Sequence, residues 1–326
     1  MAHELTVRAD GAVEMGYVTG TFRWHGLGNE IEPGADVDTW VARSGMGWEI
    51  KRSRVRYGEP PAQRIDEDHH VLFRGDTKDP LSIVSPSYKV VQPRQVLEFF
   101  RDLTEQHGFT LTTAGTLFGG RRFWALAAIG ESAVVIGRDQ VDGYLLLSSS
   151  CDGSLATTAQ LTTVCVVCNN TLSAAIGRAK GAVRVSHRST FDPGYAKDEL
   201  GVVRGSFKSF MTDARRLSEV AVTPDQAAAF TGRLLTGAPE PTKELQASKQ
   251  YQKILALFNG EATGGDLPGR AGTAWGLVNA VTDYVDHHAP ARTGSHQLAS
   301  AWFGRGDALK TGALTLAREL AGLDVN

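Results

Sequence analysis

From Pro93 onward the chain changes rhythm, first helical and then strand-like. Val96, Phe99, Phe100 and Leu103 recur at helical spacing behind a proline suited to a first helical turn, and His107-Gly108 closes the run. Phe109, Leu111 and Thr113 then alternate along a strand. Phe123, Ala125, Ala127 and Ile129 alternate beyond Gly119-Gly120, which predicts a β-hairpin. Val134 to Ile136 reads as a further short strand. Tyr144 to Ser149 and Leu155 to Val167 flank Asp152-Gly153 as a second hairpin, and Asn169 or Asn170 offers a cap for a helix beginning near Thr171.

The flanks carry weaker patterns. Trp24 to Gly28 is turn-rich, and Val37 to Ser44 reads as a short helix. Trp48 to Tyr57 alternates apolar or aromatic positions with polar ones, a half-buried strand with basic residues interleaved. Val71–Arg74 and Leu81–Val84 are set to pair across the Gly75–Pro80 turn. From about Ala196 the period is helical (Leu200, Val203, Phe207, Phe210, Met211, Leu217), and another helix starts at Thr223-Pro224-Asp225 and ends by Gly237. Ala238 to Pro241 is a linker candidate, and Leu245–Phe258, Ala271–His288 and Asp307–Ala321 read as three more helices. These patterns predict an α+β fold. A twisted antiparallel sheet backed by helices occupies residues 1–190, and a mainly helical region follows over 191–326.

Composition narrows the class. With 326 residues, 42% hydrophobic and 21% charged, the chain folds rather than staying disordered. No apolar run approaches the ~20 residues that span a bilayer, and the N-terminus lacks a secretion signal, so no membrane partner is expected. Three cysteines make no disulfide framework, and the expected setting is the cytoplasm of a host cell. Net charge is −2, yet Thr171 to Arg216 holds nine cations against four acids. Such a window attracts phosphate, and it equally fits a solvated basic helical face.

Candidate chemistry is sparse. Cys165-Val166-Val167-Cys168 has no second pair to complete a zinc tetrahedron, and residues three apart on a strand face opposite sides, so these read as buried thiols. Asp283 and His287 share a helix face, with His288 following, and Asp283, Asp286 and His287 keep a metal-dependent hydrolase open as an alternative. His69-His70 and His296 carry no ligand spacing of their own. Neither a P-loop, nor G-x-G-x-x-G after a strand, nor a G-x-S-x-G elbow is present. No cofactor is implied, which points away from an enzyme and toward work done by binding. The positive signal is the hairpin, where Arg121 and Arg122 precede Phe123 and Trp124, with Arg138 and Tyr144 close in sequence. Single strands bind where cations follow the backbone and aromatic faces accept bases. Phe123 and Trp124 also fit a sheet core.

Five ordered blocks carry a resemblance. Trp24-His25-Gly26-Leu27-Gly28, Tyr88-Lys89-Val90-Val91-Gln92-Pro93, Val167-Cys168-Asn169-Asn170-Thr171, Thr273-Ala274-Trp275-Gly276-Leu277 and Ser300-Ala301-Trp302-Phe303-Gly304 resemble the signature blocks of a family of phage and plasmid proteins of unknown function. The resemblance implies a mobile-element origin and supplies no catalytic residues. The order helix, hairpin, further strand, helix is also similar to the core of Rad52-like single-strand annealing proteins, an analogy of fold order alone. It implies a phage-type protein that binds and anneals single-stranded DNA in recombination without ATP. Such a protein forms a homo-oligomeric ring or filament, with a phage exonuclease or a host single-strand-binding protein as further partners. The corresponding phosphate contacts are Arg121, Arg122, Arg138, Arg178, Lys180, Arg184 and Arg188, with Trp124 and Tyr144 as stacking groups. The competing reading is a host-interaction or regulatory protein of a mobile element, acting through an aromatic patch of Trp275, Tyr284, Trp302 and Phe303.

Overall fold

The computed structural model describes residues 6, 8, 11–20, 28–165, 170–174, 183–185, 203–238 and 240–323. In chain order the described strands are β1 (Met15–Val18), β2 (Asn29–Ile31), β3 (Ile50–Tyr57), β4 (Arg64–Arg74), β5 (Pro80–Val84), β6 (Thr110–Leu117), β7 (Arg122–Val134), β8 (Gln140–Ser150), β9 (Thr157–Cys165), β10 (Thr171–Ala174) and β11 (Val183–Val185). The helices are α1 (Val37–Ser44), α2 (Pro93–His107), α3 (Val203–Glu219), α4 (Pro224–Thr236), α5 (Lys243–Gln246), α6 (Lys249–Ala256), α7 (Ala274–Asp283), α8 (Gly294–Phe303) and α9 (Arg305–Leu320). The fold is α+β with a mainly helical C-terminal region. Most strand pairs are antiparallel, but β1 and β2 run parallel.

The chain divides into two compact units that interleave in sequence. The first takes Met1–Ile129, Leu145–Gln160 and Ala182–Leu200; the second takes Gly130–Tyr144, Leu161–Gly181 and Gly201–Asn326. The division therefore does not fall at one boundary near residue 190, and the 238–241 segment lies inside the second unit.

The larger sheet runs β10-β9-β8-β7-β6-β1-β2, with β11 pairing β9 off this path. Helices α1 and α2 pack over its β6 side. The α1 ends are built locally: the Asp36 carboxylate accepts from Thr39 N at 2.8 Å, and Gly45, at φ 71°, closes the helix. At the start of α2, Gln95 Oε1 accepts from Gln92 N at 2.7 Å, and Pro93 opens the first turn. Val96, Leu97, Phe99 and Phe100 then bury one face of α2, with the two phenylalanine rings edge-on at 5.5 Å. A second, three-stranded sheet has the order β3-β4-β5. Arg54 pairs with His70 while Val55 pairs with Asp66, so residues 67–69 bulge from β4 and leave the alternation of β3 intact.

In the second unit, β10 pairs antiparallel with the end of β9 (Thr171 opposite Val164), and helices surround α7, all ten of whose residues are buried. Thr171 thus opens a strand where a helix was expected. The asparagine cap is a local signal, and a longer-range partner overrides it. Thr171 donates both its backbone N–H (2.6 Å) and its hydroxyl (2.9 Å) to the Asp286 carboxylate, which Lys310 Nζ also reaches at 2.9 Å. The Asn170 side chain meets His287 Nε2 at 3.1 Å instead of capping a helix. A strand, β10, therefore stands over Thr171–Ala174, where the Rad52 analogy expects the second helix to begin. The strand expected over 134–136 is the end of β7 followed by a turn, which Val135 N closes onto Asp139 O at 2.8 Å.

Candidate nucleic-acid interface

The β6–β7 hairpin turns through Phe118, Gly119 and Gly120, all at positive φ (55°, 69° and 94°). A Cβ on Gly120 would sit 2.4 Å from the Trp48 ring, so the turn needs glycine there for space as well as for conformation. Beneath it, Arg74 is a buried pin. Its guanidinium lies 4.3 Å over the Trp48 ring, donates to Glu14 at 2.7 and 3.1 Å and to Asp76 at 2.8 and 3.0 Å, and reaches the Gly119 carbonyl at 3.3 Å. Burial opposes its charge, but the hydrogen bonds to Asp76 and Glu14 outweigh that and push its pKa up. Arg74 is neutralised by two carboxylates and fixes the turn.

Above this pin, Arg121 is exposed and Arg122 half-buried. Arg122 Nε donates to Ser154 Oγ at 3.1 Å, and its guanidinium lies 5.5 Å from the Phe118 ring. Asp152 stays ionised nearby: burial raises its pKa, but hydrogen bonds from Ser154 and the charge of Arg122 more than offset this and lower it. Arg122 therefore works partly in the field of an acid, whereas Arg121 has no carboxylate partner among the described residues.

Hydrogen bonds lead from this turn to a second basic surface. Cys151 N donates to Arg121 O (2.9 Å), Tyr88 Oη donates to Ser150 O (3.0 Å), and Arg52 donates to Tyr88 O (2.8 Å). Arg52 begins a run on β3. Arg52, Arg54 and Arg56 alternate along the strand and so share one face, and all are exposed. Lys89 is exposed beside them. None of these four has a carboxylate partner among the described residues. The sequence signal for the run was the interleaving of basic residues within 48–57, which marks the strand; its making no ion pair with the acids of the neighbouring β4 among the described residues is a tertiary property. At the far end of β3, Tyr57 is 54% exposed but falls on the opposite face of the strand by the same alternation.

Several expected contacts do not fit. Trp124 is fully buried and Tyr144 is 6% exposed, its phenol pushed up to about 12 by burial and by Asp142, so neither presents a ring to a base. β6 from Thr112 to Leu117 and β7 from Phe123 to Ala127 are buried on both faces, and on β6 the threonine hydroxyls bond to backbone carbonyls, Thr112 to Leu126 and Thr113 to Gly16. In the second unit Arg138 pairs with Asp266 at 2.5 Å. Arg184 lies on β11 opposite Thr158, and Arg178, Lys180 and Arg188 fall outside the described residues.

The other candidates are structural. Cys165 Sγ sits 3.0 Å from Arg270, which is paired with Asp139 at 2.6 and 2.9 Å; Trp275 Nε1 also donates to Asp139. Cys168 falls outside the described residues. Asp286 is held by Lys310 and Thr171, while Asp283, fully buried, accepts from Thr263 N at 3.0 Å and lies 2.9 Å from His288. Asp283, Asp286 and His287 thus serve separate partners. Among the described residues no three His, Cys, Asp or Glu side chains stand together as metal ligands. Trp275, Tyr284 and Trp302 are core and form no surface patch. No described helix is long and apolar enough to cross a membrane.

A family model described as a domain of unknown function, DUF932, matches residues 80–302. Comparison with curated proteins and with solved structures returns no match.

Proposed function

The chain belongs to the DUF932 family, and from that premise we propose that it binds single-stranded nucleic acid through the first unit and acts as a phage-type annealing protein without ATP. One observation carries the reading. Arg52, Arg54, Arg56, Lys89, Arg121 and Arg122 present six cations without a carboxylate ion pair among the described residues, on segments joined by the hydrogen bonds through Tyr88 and Cys151. Alternate residues on a strand stand about 6.6 Å apart, a spacing comparable to that of successive phosphates along an extended single strand. The half-buried Tyr88 supplies aromatic surface near the same cations, and base stacking on such a ring tolerates any sequence.

Duplex DNA presents its bases stacked and unavailable, so the surface favours single strands. Annealing requires the strand to be held along its backbone with base edges free, and contacts limited to phosphates and ring faces leave them so. Assembly into a ring or filament would align such surfaces from many copies. The test is a titration of a fluorescent 30-mer of mixed sequence at low salt, as single strand and as duplex, with static light scattering of the free protein and the complex. Binding of the single strand in preference to duplex, with growth in particle mass, is expected. No binding of the single strand at low salt overturns the proposal.

A further inference from the structure

We propose that the concave site between the start of β3 and the Pro86–Val91 segment seats one phosphorylated nucleotide unit of a strand. The inference rests on the single-strand reading above and makes it more specific. The cavity measures about 210 Å³ and is lined by Arg52, Pro86, Tyr88, Lys89 and Val91, among others. It is smaller than the ~300–1,000 Å³ of sites that take drug-sized ligands, so it suits a single monomer unit and not an extended ligand.

Its charge selects an anion. Arg52 and Lys89 both line it, and neither has a carboxylate partner among the described residues. One Arg52 nitrogen donates to Tyr88 O at 2.8 Å, which fixes the guanidinium against the wall and leaves its other N–H groups for an oxyanion. The planar fork of arginine matches phosphate in two-point contact, and the lysine adds a point charge. Pro86, Val90 and Val91 give the apolar remainder of the wall, suited to a sugar or to the edge of a base.

The walls are held before any ligand arrives. Gln92 bridges to β3 twice, its Oε1 accepting from Ile50 N at 2.8 Å and its Nε2 donating to Ile50 O at 3.1 Å. Tyr88 Oη is anchored on Ser150 O. The block Tyr88-Lys89-Val90-Val91-Gln92 therefore supplies the cation, the apolar wall and the two side chains that fasten the loop. Beyond the site, Arg54 and Arg56 continue along the same face of β3, in line for the phosphates of the neighbouring units.

A phosphate can come from a strand's 5′ end or from an internal link, and the experiment separates the two. Thymidine monophosphate, thymidine and inorganic phosphate are titrated into the full-length protein, alongside 5′-phosphorylated and 5′-hydroxyl oligonucleotides. Thymidine monophosphate is expected to bind where thymidine does not, and Arg52→Ala or Lys89→Ala is expected to weaken it by on the order of tenfold or more. Arg54→Ala with Arg56→Ala should leave the mononucleotide unaffected while weakening oligonucleotides. A preference for the 5′-phosphorylated strand assigns the site to strand ends, and equal binding assigns it to internal phosphates. Arg52→Lys, with thermal melting of every variant, controls for folding. If oligonucleotides bind but the mononucleotide does not, or binds regardless of Arg52 and Lys89, the pocket inference falls and the strand reading survives. If the mononucleotide binds in an Arg52-dependent way and oligonucleotides do not bind, the pocket stands and the strand reading falls.

Discussion

Replacing Arg52, Arg54 and Arg56 together by alanine removes three of the six cations counted above. All three are exposed on one face of β3, so fold stability should change little. If each cation neutralises one phosphate, counterion release gives log K against log [salt] a slope of about −0.7 per contact for single strands, roughly −4 for six contacts and roughly −2 for three. Raising salt from 50 to 200 mM should then weaken the wild type about 300-fold and the triple variant only about 20-fold. Fluorescence anisotropy of a labelled oligonucleotide across that range, with circular dichroism to show that the variant is folded, makes the measurement. A variant slope equal to that of the wild type would refute the reasoning, because it would mean that these arginines meet no phosphate. A wild-type slope near zero would refute it too.

The remaining predictions concern stability. Asp139→Asn leaves Arg270 buried beside a neutral partner and should cost about 3–5 kcal/mol in urea unfolding, whereas Asp139→Leu with Arg270→Met should recover much of the loss; a cost under about 1 kcal/mol for the single change would show that the pair is not desolvated. Trp124→Ala should cost about 3–5 kcal/mol through the cavity it leaves, yet leave oligonucleotide affinity per folded molecule unchanged, the reverse of what a stacking residue would show. Asp76 has its pKa lowered, chiefly by the Arg74 hydrogen bond, with burial opposing. Its contribution is therefore present above its ordinary value of 3.8 and is lost as pH falls below it, so Asp76→Asn should flatten the acid limb of a stability–pH curve. Burial pushes the Cys151 thiol up to about 12, with Asp152 adding to the effect, so iodoacetamide at pH 8 should label Cys151 only after unfolding, as peptide mass spectrometry would report.

What the sequence made legible was local. The α1 limits follow from an aspartate cap and a closing glycine, α2 from Pro93 and Gly108, and the β6–β7 hairpin from Gly119-Gly120, because each signal and the structure it specifies lie within a few residues. What misled was non-local. Asn170 and Thr171 read as a helix start until Asp286, 115 residues away from Thr171, claims the Thr171 N–H and hydroxyl. Arg270 and Asp139 are 131 residues apart, and neither lies in a pattern that would announce a buried pair. Trp124 looked available because it follows Arg121 and Arg122 at the hairpin, but it is fully buried, and on the neighbouring β6 even the threonines turn their hydroxyls onto carbonyls. At the interface, Arg121 and Arg122 were legible as a basic pair beside a turn, while the importance of Arg52, Arg54 and Arg56 rests on their making no carboxylate ion pair among the described residues although Asp66 lies on the paired strand, which no linear pattern encodes.

The arginines of β3 admit a second physical role, and one substitution separates it from the first. β3 is an edge strand of the three-stranded sheet, and charged side chains on an edge block its pairing with another chain. Edge protection needs charge of either sign, because a desolvated carboxylate disfavours strand addition as a guanidinium does. Phosphate binding needs positive charge. Arg54→Glu with Arg56→Glu keeps the edge charged while reversing its sign, so the variant should remain as soluble as the wild type while its oligonucleotide affinity falls below that of the corresponding double alanine variant, since two attractions become two repulsions. Sedimentation at high protein concentration and anisotropy at low salt read the two roles independently. If the reversed and alanine variants bind oligonucleotide equally to wild type and differ only in aggregation, β3 is a guarded edge and the strand-binding surface must be sought elsewhere.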